Sequence, residues 1–457
     1  LYASMGVDAA DFWAQYDHMY IPELGHNVSV TDYAHTLYIR ASWTDFNPQE
    51  DVYGWKIDSN LRAYIEGAYQ RNMRLAFRVV VDSRDKRTEF TPQFVKDAGA
   101  KGFMNKGKWS PYSDDPVFQK YYTKFVKALA KDFNDPSKVE FIDGFGLGKW
   151  GEYHTMIYST GDDTPKKAVF NWVTDIYSQA FDKVPVVINY HRWIGAGKDW
   201  VDDEHFAADS EEMLEEAIKK GYSLRHDAFG MTTYYGSWER RFAKKYRNIC
   251  PIIMEGGWIV KSHSYWQDPR GYRKDSHEDV RRGEFDDSKE AHVNMMDFRF
   301  GDTKSWFKDA FDLVRRFLRE GGYRLYPSEI SLPLEVSKKT PPTIKHCWNN
   351  LGWGYCPTNI PQWNQKYKVA FALLDSETNE VRYTFVDTDT DLSKWIKGSP
   401  AEYVFEPDMS KVETGTYVWA VGLVDRSNKD LIGLDIAAKG DILDSGWLKL
   451  SKVSIKK

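Results

Sequence analysis

The stretch Val139-Glu140-Phe141-Ile142-Asp143-Gly144-Phe145-Gly146-Leu147, running on into Gly148-Lys149-Trp150-Gly151-Glu152, carries the first clear sign of architecture. An apolar run of strand length breaks into a glycine-rich turn that delivers an acidic residue, and a helical stripe of Val169, Trp172, Val173 and Ile176 follows. Strand, turn and helix in that order make half of a βαβ unit.

The same alternation recurs on both sides. Upstream, residues 75–81 and 36–40 read as strands, with a weaker one in 2–6, and helices are marked by Leu61, Tyr64, Ile65, Ala68 and Tyr69, then by Phe118, Tyr122, Phe125 and Leu129 behind Asp115 and Pro116. Downstream, residues 184–189, 228–234 and 251–255 read as the fifth to seventh strands. An eighth is expected at 323–326, after a helix capped by Asp302 or Thr303, lined by Trp306, Phe307, Ala310, Val314 and Phe317, and stopped by Gly321-Gly322. Eight such strands predict a closed (β/α)8 TIM barrel over 1–335. A doubly wound open sheet ranks second, because no GxGxxG follows the early strands.

After Pro333 the helical period gives way to alternation of period two, as in Tyr367, Val369, Phe371 and Leu373. Residues 381–386, 415–425, 431–437 and 447–455 continue it between turn residues, which predicts a C-terminal antiparallel β-sandwich over 340–457.

Composition narrows the possible partners. The formal net charge is −5 with both signs interspersed, so no field exists to hold a polyanion and nucleic acid is not an expected partner. No apolar run approaches the roughly 18 residues of a membrane span. Aromatic residues make up 16% of the chain, and their flat rings either cover the apolar faces of sugars or fill cores. Three cysteines, Cys250, Cys347 and Cys356, allow at most one disulfide, with Cys347 and Cys356 the better candidates, and they lack the paired CxxC spacing of a zinc site. Asp387, Asp389 and Asp391 begin like a calcium loop, but Ser393 and Gly398 stand where further ligands belong. No metal and no cofactor is therefore expected, and neither a GxSxG elbow nor a P-loop is present.

In a barrel of this kind chemistry is carried at the C-terminal ends of the strands. Glu152 follows the fourth strand, and Glu255 ends the seventh in Pro251-Ile252-Ile253-Met254-Glu255. Two carboxyl groups facing each other across a barrel mouth suit retaining cleavage of a sugar–sugar bond, in which one donates a proton to the leaving oxygen and the other attacks the anomeric carbon. A hydrophobic neighbour such as Trp150 is expected to raise the proton affinity of Glu152, and an arginine to keep Glu255 ionised. The competing view is that both carboxylates cap backbone or pair with Lys or Arg.

Through these residues, about 1–334 resembles the superfamily of retaining glycosidase barrels that place the acid/base after strand four and the nucleophile on strand seven. It is most similar to those that carry a C-terminal β-sandwich and a Trp-Gly-Glu motif, matched by Trp150-Gly151-Glu152. Arg40-Ala41-Ser42-Trp43, Asn47-Pro48 and Gly54-Trp55 resemble the segment that passes the substrate cleft in such enzymes. The resemblance implies Glu152 as acid/base, Glu255 as nucleophile and a β-linked oligosaccharide or polysaccharide as substrate. It also implies an extracytoplasmic location, inferred from function because the chain shows no signal peptide.

One departure is visible. The superfamily's usual asparagine before the acid/base is replaced by Gly151, so the contact to the sugar 2-hydroxyl must come from elsewhere, with Asn189, His191 and Arg192 as candidates. Tyr234 is expected to hydrogen-bond the nucleophile. Arg78, a charge inside an apolar strand, either pairs with Glu255 or forms a structural ion pair, and Arg40 invites the same two readings. Trp43, Trp150, Trp193, Trp258 and Trp266 are candidates for sugar stacking, with core packing as the alternative. A non-catalytic carbohydrate-binding barrel remains the rival from another class.

Overall fold

The computed structural model describes residues 1–4, 6–229, 234–257, 277–298 and 305–457. The chain divides into two compact units, Leu1–Leu318 and Arg319–Lys457.

In the first unit, strands β1 (Tyr2–Ala3), β2 (Thr36–Ser42), β3 (Arg74–Val80), β4 (Val139–Asp143), β5 (Val186–Asn189), β6 (Tyr222–His226), β7 (Ile252–Met254) and β8 (Met295–Met296) lie side by side in chain order, every neighbouring pair parallel. Helices α1 (Ala9–Asp17), α2 (Asn60–Gln70), α3 (Pro116–Phe133), α4 (Lys166–Ala180), α5 (Glu204–Lys219), α6 (Ser237–Tyr246), α7 (His277–Glu290) and α8 (Phe311–Glu320) follow the strands one by one. The amide of Tyr2 donates to the carbonyl of Phe298 at 3.0 Å, which brings the end of β8 back to β1 and closes the ring. This is a (β/α)8 barrel. Local chemistry explains the helix starts: the carboxylate of Asp115 accepts the Phe118 amide ahead of Pro116, and Ser59 and Asp203 cap α2 and α5 in the same way.

Strand alternation builds the interior in layers. Tyr2, Tyr38, Ala76, Phe141, Val187 and Ile253 form one buried apolar cluster, with Met295 packed against it. Two residues further along five of these strands, on the same inward face, stand Arg40, Arg78, Asp143, Asn189 and Glu255, and β6 adds Arg225 in register with Asn189. The barrel thus changes from an apolar floor to a charged layer within one step of the pleat.

Two strand expectations need correction. The eighth strand is Met295–Met296, and Leu325–Ser331 instead pairs antiparallel with Ile344–Asn350 in the second unit. A two-residue strand has no periodicity to detect, whereas the later segment has strand length and alternation. The sixth strand is Tyr222–His226 rather than 228–234, part of which lies outside the described residues. Its in-facing Ser223 and Arg225 break the apolar pattern that marks a barrel strand.

The second unit contains a three-stranded sheet of β9 (Leu325–Ser331), β11 (Ile344–Asn350) and β14 (Ala401–Phe405). Its second sheet orders β10 (Glu335–Ser337), β17 (Leu448–Lys456), β15 (Gly415–Asp425), β12 (Tyr367–Asp375) and β13 (Val381–Asp387), with β16 (Leu431–Leu434) on β15. All pairs are antiparallel except β10 with β17. A shared core including Trp348, Trp395, Phe371 and Trp419 makes the two sheets a sandwich. All three cysteines are free. Cys347 lies on the opposite face of β11 from Ile344, His346 and Trp348, whereas Cys356 belongs to the core beside Trp348, so the expected pair cannot meet. The Asp387–Asp391 segment is a turn: Asp387 accepts from the His346 ring at 2.9 Å and from the Asp389 amide, and Asp391 caps Ser393.

Candidate active site

The β4–α4 loop is coiled tightly enough to return Glu152 to the barrel axis. Gly146, Gly148 and Gly151 all have φ between +72° and +74°, and Trp150 and Tyr153 share the left-handed conformation. At Gly146 a side chain is excluded outright, since a Cβ would stand 2.2 Å from the Val79 carbonyl oxygen. The Lys149 amide closes the loop on the His154 carbonyl at 2.9 Å.

Glu152 and Glu255 meet in the charged layer, at 1% and 0% exposure. Arg78 joins them: its Nη1 donates to Glu152 Oε1 and its Nη2 to Glu255 Oε2, both at 2.5 Å, while Nε reaches Asp143 at 2.9 Å and the Tyr38 hydroxyl at 2.6 Å. Arg225 repeats the pattern from β6, with Nε 2.8 Å from Asp143, Nη2 3.4 Å from Glu152 and Nη1 on Glu255. Tyr38 also donates to Asp143. One oxygen each of Glu152, Asp227 and Glu255 lie within 4.8 Å of one another. A divalent cation could span that distance, but the two guanidinium groups already supply positive charge to the glutamates.

Burial by itself raises the proton affinity of Glu152, yet Arg78, Arg225, Arg40 and His154 outweigh it and hold the carboxyl well below its usual range. The raised proton affinity expected from burial beside Trp150 is therefore outweighed by these charges. Trp150 lies half-buried under the Lys149 ammonium, 4.3 Å from its ring centroid, with its edge against His154.

The other expected residues divide into three groups. Arg78 pairs with both glutamates, so its two readings merge, and Arg40 stands in register beside it with Nη1 on the Tyr2 hydroxyl at 3.1 Å. Asn189, His191 and Tyr234 gather around Glu152 as support. His191 Nε2 is 2.7 Å from the Glu152 carbonyl, and burial, then the charge of His154, keeps its ring neutral, so that nitrogen donates. Asn189 donates to the Tyr234 hydroxyl at 3.0 Å, which also meets His154 Nε2 at 2.8 Å. Tyr234 therefore binds His154 and Asn189 and not Glu255. Arg192 pairs with Glu239 at 2.8 Å and lies 3.9 Å over the Trp193 ring, so it secures the start of α6.

Trp43 is fully buried among Phe94, Phe118, Tyr122 and Phe125, where no sugar can stack, and Trp193 is 1% exposed. Trp258 and Trp266 lie outside the described residues. Trp200, half-exposed in the β5–α5 loop beside Trp193 and Tyr234, is the ring open to solvent here, and sequence reading passed over it.

Asp143, Arg225, Tyr38 and the His154–Asp199 pair (2.8 Å) were also missed. Asp143 and Arg225 carry the same signal as Arg78, a charge on the inward face of a barrel strand. Arg225 was hidden because its strand was placed too late.

No family model matches the sequence, and no curated protein matches it. The structure is similar to an endo-β-1,4-mannanase from Thermotoga petrophila (13% identity over 100% of this chain and 97% of that one, TM-score 0.42). It is also similar to endo-glycoceramidase II from Rhodococcus sp. (12%, 89% and 96%, 0.40) and to a trimodular endoglucanase (12%, 87% and 70%, 0.38). Identity this low relates the chain to those enzymes through architecture alone.

Proposed function

We propose that the barrel is a glycoside hydrolase that cleaves a β-linked oligosaccharide or polysaccharide by double displacement. Glu255 attacks the anomeric carbon while Glu152 protonates the departing oxygen, and the glycosyl ester on Glu255 is then released by water that Glu152 deprotonates. The observation that carries this reading is the approach of the two carboxylates to within 4.8 Å at the C-terminal ends of β4 and β7. Arg78 and Arg225 both pair with the Glu255 carboxylate, the partners an anionic nucleophile calls for. A polymeric glycan of this kind is met outside the cytoplasm, which supports an extracytoplasmic location.

A specific observation favours a second reading. The same guanidinium groups hold Glu152 ionised, so in the resting protein the acid lacks its proton, as it would in a barrel that only binds carbohydrate. Product analysis on a panel of β-glycans and aryl β-glycosides, with Glu255→Ala and Glu152→Ala, separates the two. The hydrolase predicts retained anomeric configuration, loss of turnover in Glu255→Ala, and azide rescue of Glu152→Ala on an activated aryl glycoside. A wild type that binds glycans and cleaves none of them is the binder.

A further inference from the structure

Arg40 is a cation of the charged layer whose partners are incomplete. It sits in register with Arg78 on adjacent strands, and so projects from the same face of the barrel wall. Arg78 and Arg225 each engage three carboxylates. Among the described residues Arg40 has one hydrogen bond, to the Tyr2 hydroxyl, and its Nη2 is hidden from solvent with no acceptor. A hidden guanidinium nitrogen without an acceptor is costly. A sugar hydroxyl would satisfy the hydrogen bond, whereas an oxyanion satisfies it with charge assistance, and the planar fork of arginine fits a carboxylate or a sulfate.

We propose that the sugar bound beside Glu152 carries an oxyanion, the carboxylate of a hexuronic acid or a sulfate ester, and that Arg40 receives it. The inference rests on the glycosidase reading and deepens it. It also bears on the resting state, because Arg40 is one of the cations that lower the proton affinity of Glu152, after Arg78 and Arg225. An anion seated on Arg40 offsets that cation and raises the proton affinity of the acid when substrate is present.

The test compares, in the gluco, galacto and manno series, an aryl β-hexuronide, its neutral β-hexoside and the 6-sulfated β-hexoside, with the wild type and Arg40→Gln, alongside calorimetric binding of free hexuronates and hexose 6-sulfates. Melting temperatures check that the variant is folded. The wild type is expected to favour one anionic substrate over its neutral partner by about 10–100-fold in kcat/KM, the range of a charge-assisted hydrogen bond, and Arg40→Gln to remove most of that preference. Which anionic sugar wins identifies the oxyanion. Equal rates on neutral and anionic partners would overturn the inference and leave the glycosidase reading intact. Binding of an anionic sugar that depends on Arg40, with no cleavage anywhere, would support the inference and end the glycosidase reading. Neither cleavage nor binding would end both.

Discussion

Glu152 and Glu255 are held by opposite nitrogens of a single guanidinium group, that of Arg78. Their separation is thus set by the width of one planar side chain, itself oriented by Asp143 and Tyr38. Arg78→Lys keeps the charge but cannot span both oxygens and Asp143, and kcat is expected to fall by about 100-fold or more. Arg78→Met leaves three buried carboxylates to Arg225 alone and should cost up to roughly 3–5 kcal/mol in denaturant unfolding. Wild-type stability and turnover in both variants would show that the arginine organises neither.

The pH profile on neutral sugars follows from Glu152. Its proton affinity in the folded protein is depressed, so the protonated fraction needed for acid catalysis declines as pH rises. For a poor leaving group, kcat/KM should decrease by up to about tenfold per pH unit through the neutral range. A dinitrophenyl glycoside, which leaves without a proton, should show little of this decline. Matching profiles for the two leaving groups would remove Glu152 from the acid role.

Stability should depend on pH through His191 and His226. Burial drives the proton affinity of both rings well below that of a free imidazole, assisted at His191 by His154 and at His226 by Arg225. The unfolded chain therefore binds protons near pH 6.5 that the folded chain refuses, so the contribution is complete above that pH and is lost as pH falls below it. Urea midpoints should drop between pH 7.5 and 5.5, and less so in His226→Gln. An unchanged wild-type midpoint would contradict the neutral, buried assignment.

Trp43→Ala should report on the core and not on sugar. The ring is fully buried among four other aromatic rings, and its removal is expected to cost roughly 3–5 kcal/mol. KM should stay near the wild-type value at temperatures where the variant is folded. A large rise in KM with little loss of stability would return Trp43 to the substrate-binding surface.

Period-two and helical patterns were enough to recognise the barrel, the sandwich and the place of Glu152 and Glu255 after strands four and seven, because those patterns are local consequences of one-sided burial. Met295–Met296 escaped notice for the same reason, as a strand of two residues has no period. Trp43 and Trp200 exchange the roles their positions suggest: the former lies just after a strand and packs inward, the latter lies deep in a loop and stays half-exposed. Exposure is a property of neighbours far away in the chain.

The sequence by itself determined which residues share the inward face of the strands it marked, since alternation is fixed by the backbone. It could not determine what those residues do to one another. Arg78 lies 74 positions from Glu152 and 177 from Glu255, and only closure of the ring brings the three together. The proton affinity of Glu152 was decided there, because electrostatic forces follow distance in space, and two arginines within reach outweigh both the burial of the carboxyl and the tryptophan two residues before it in the sequence.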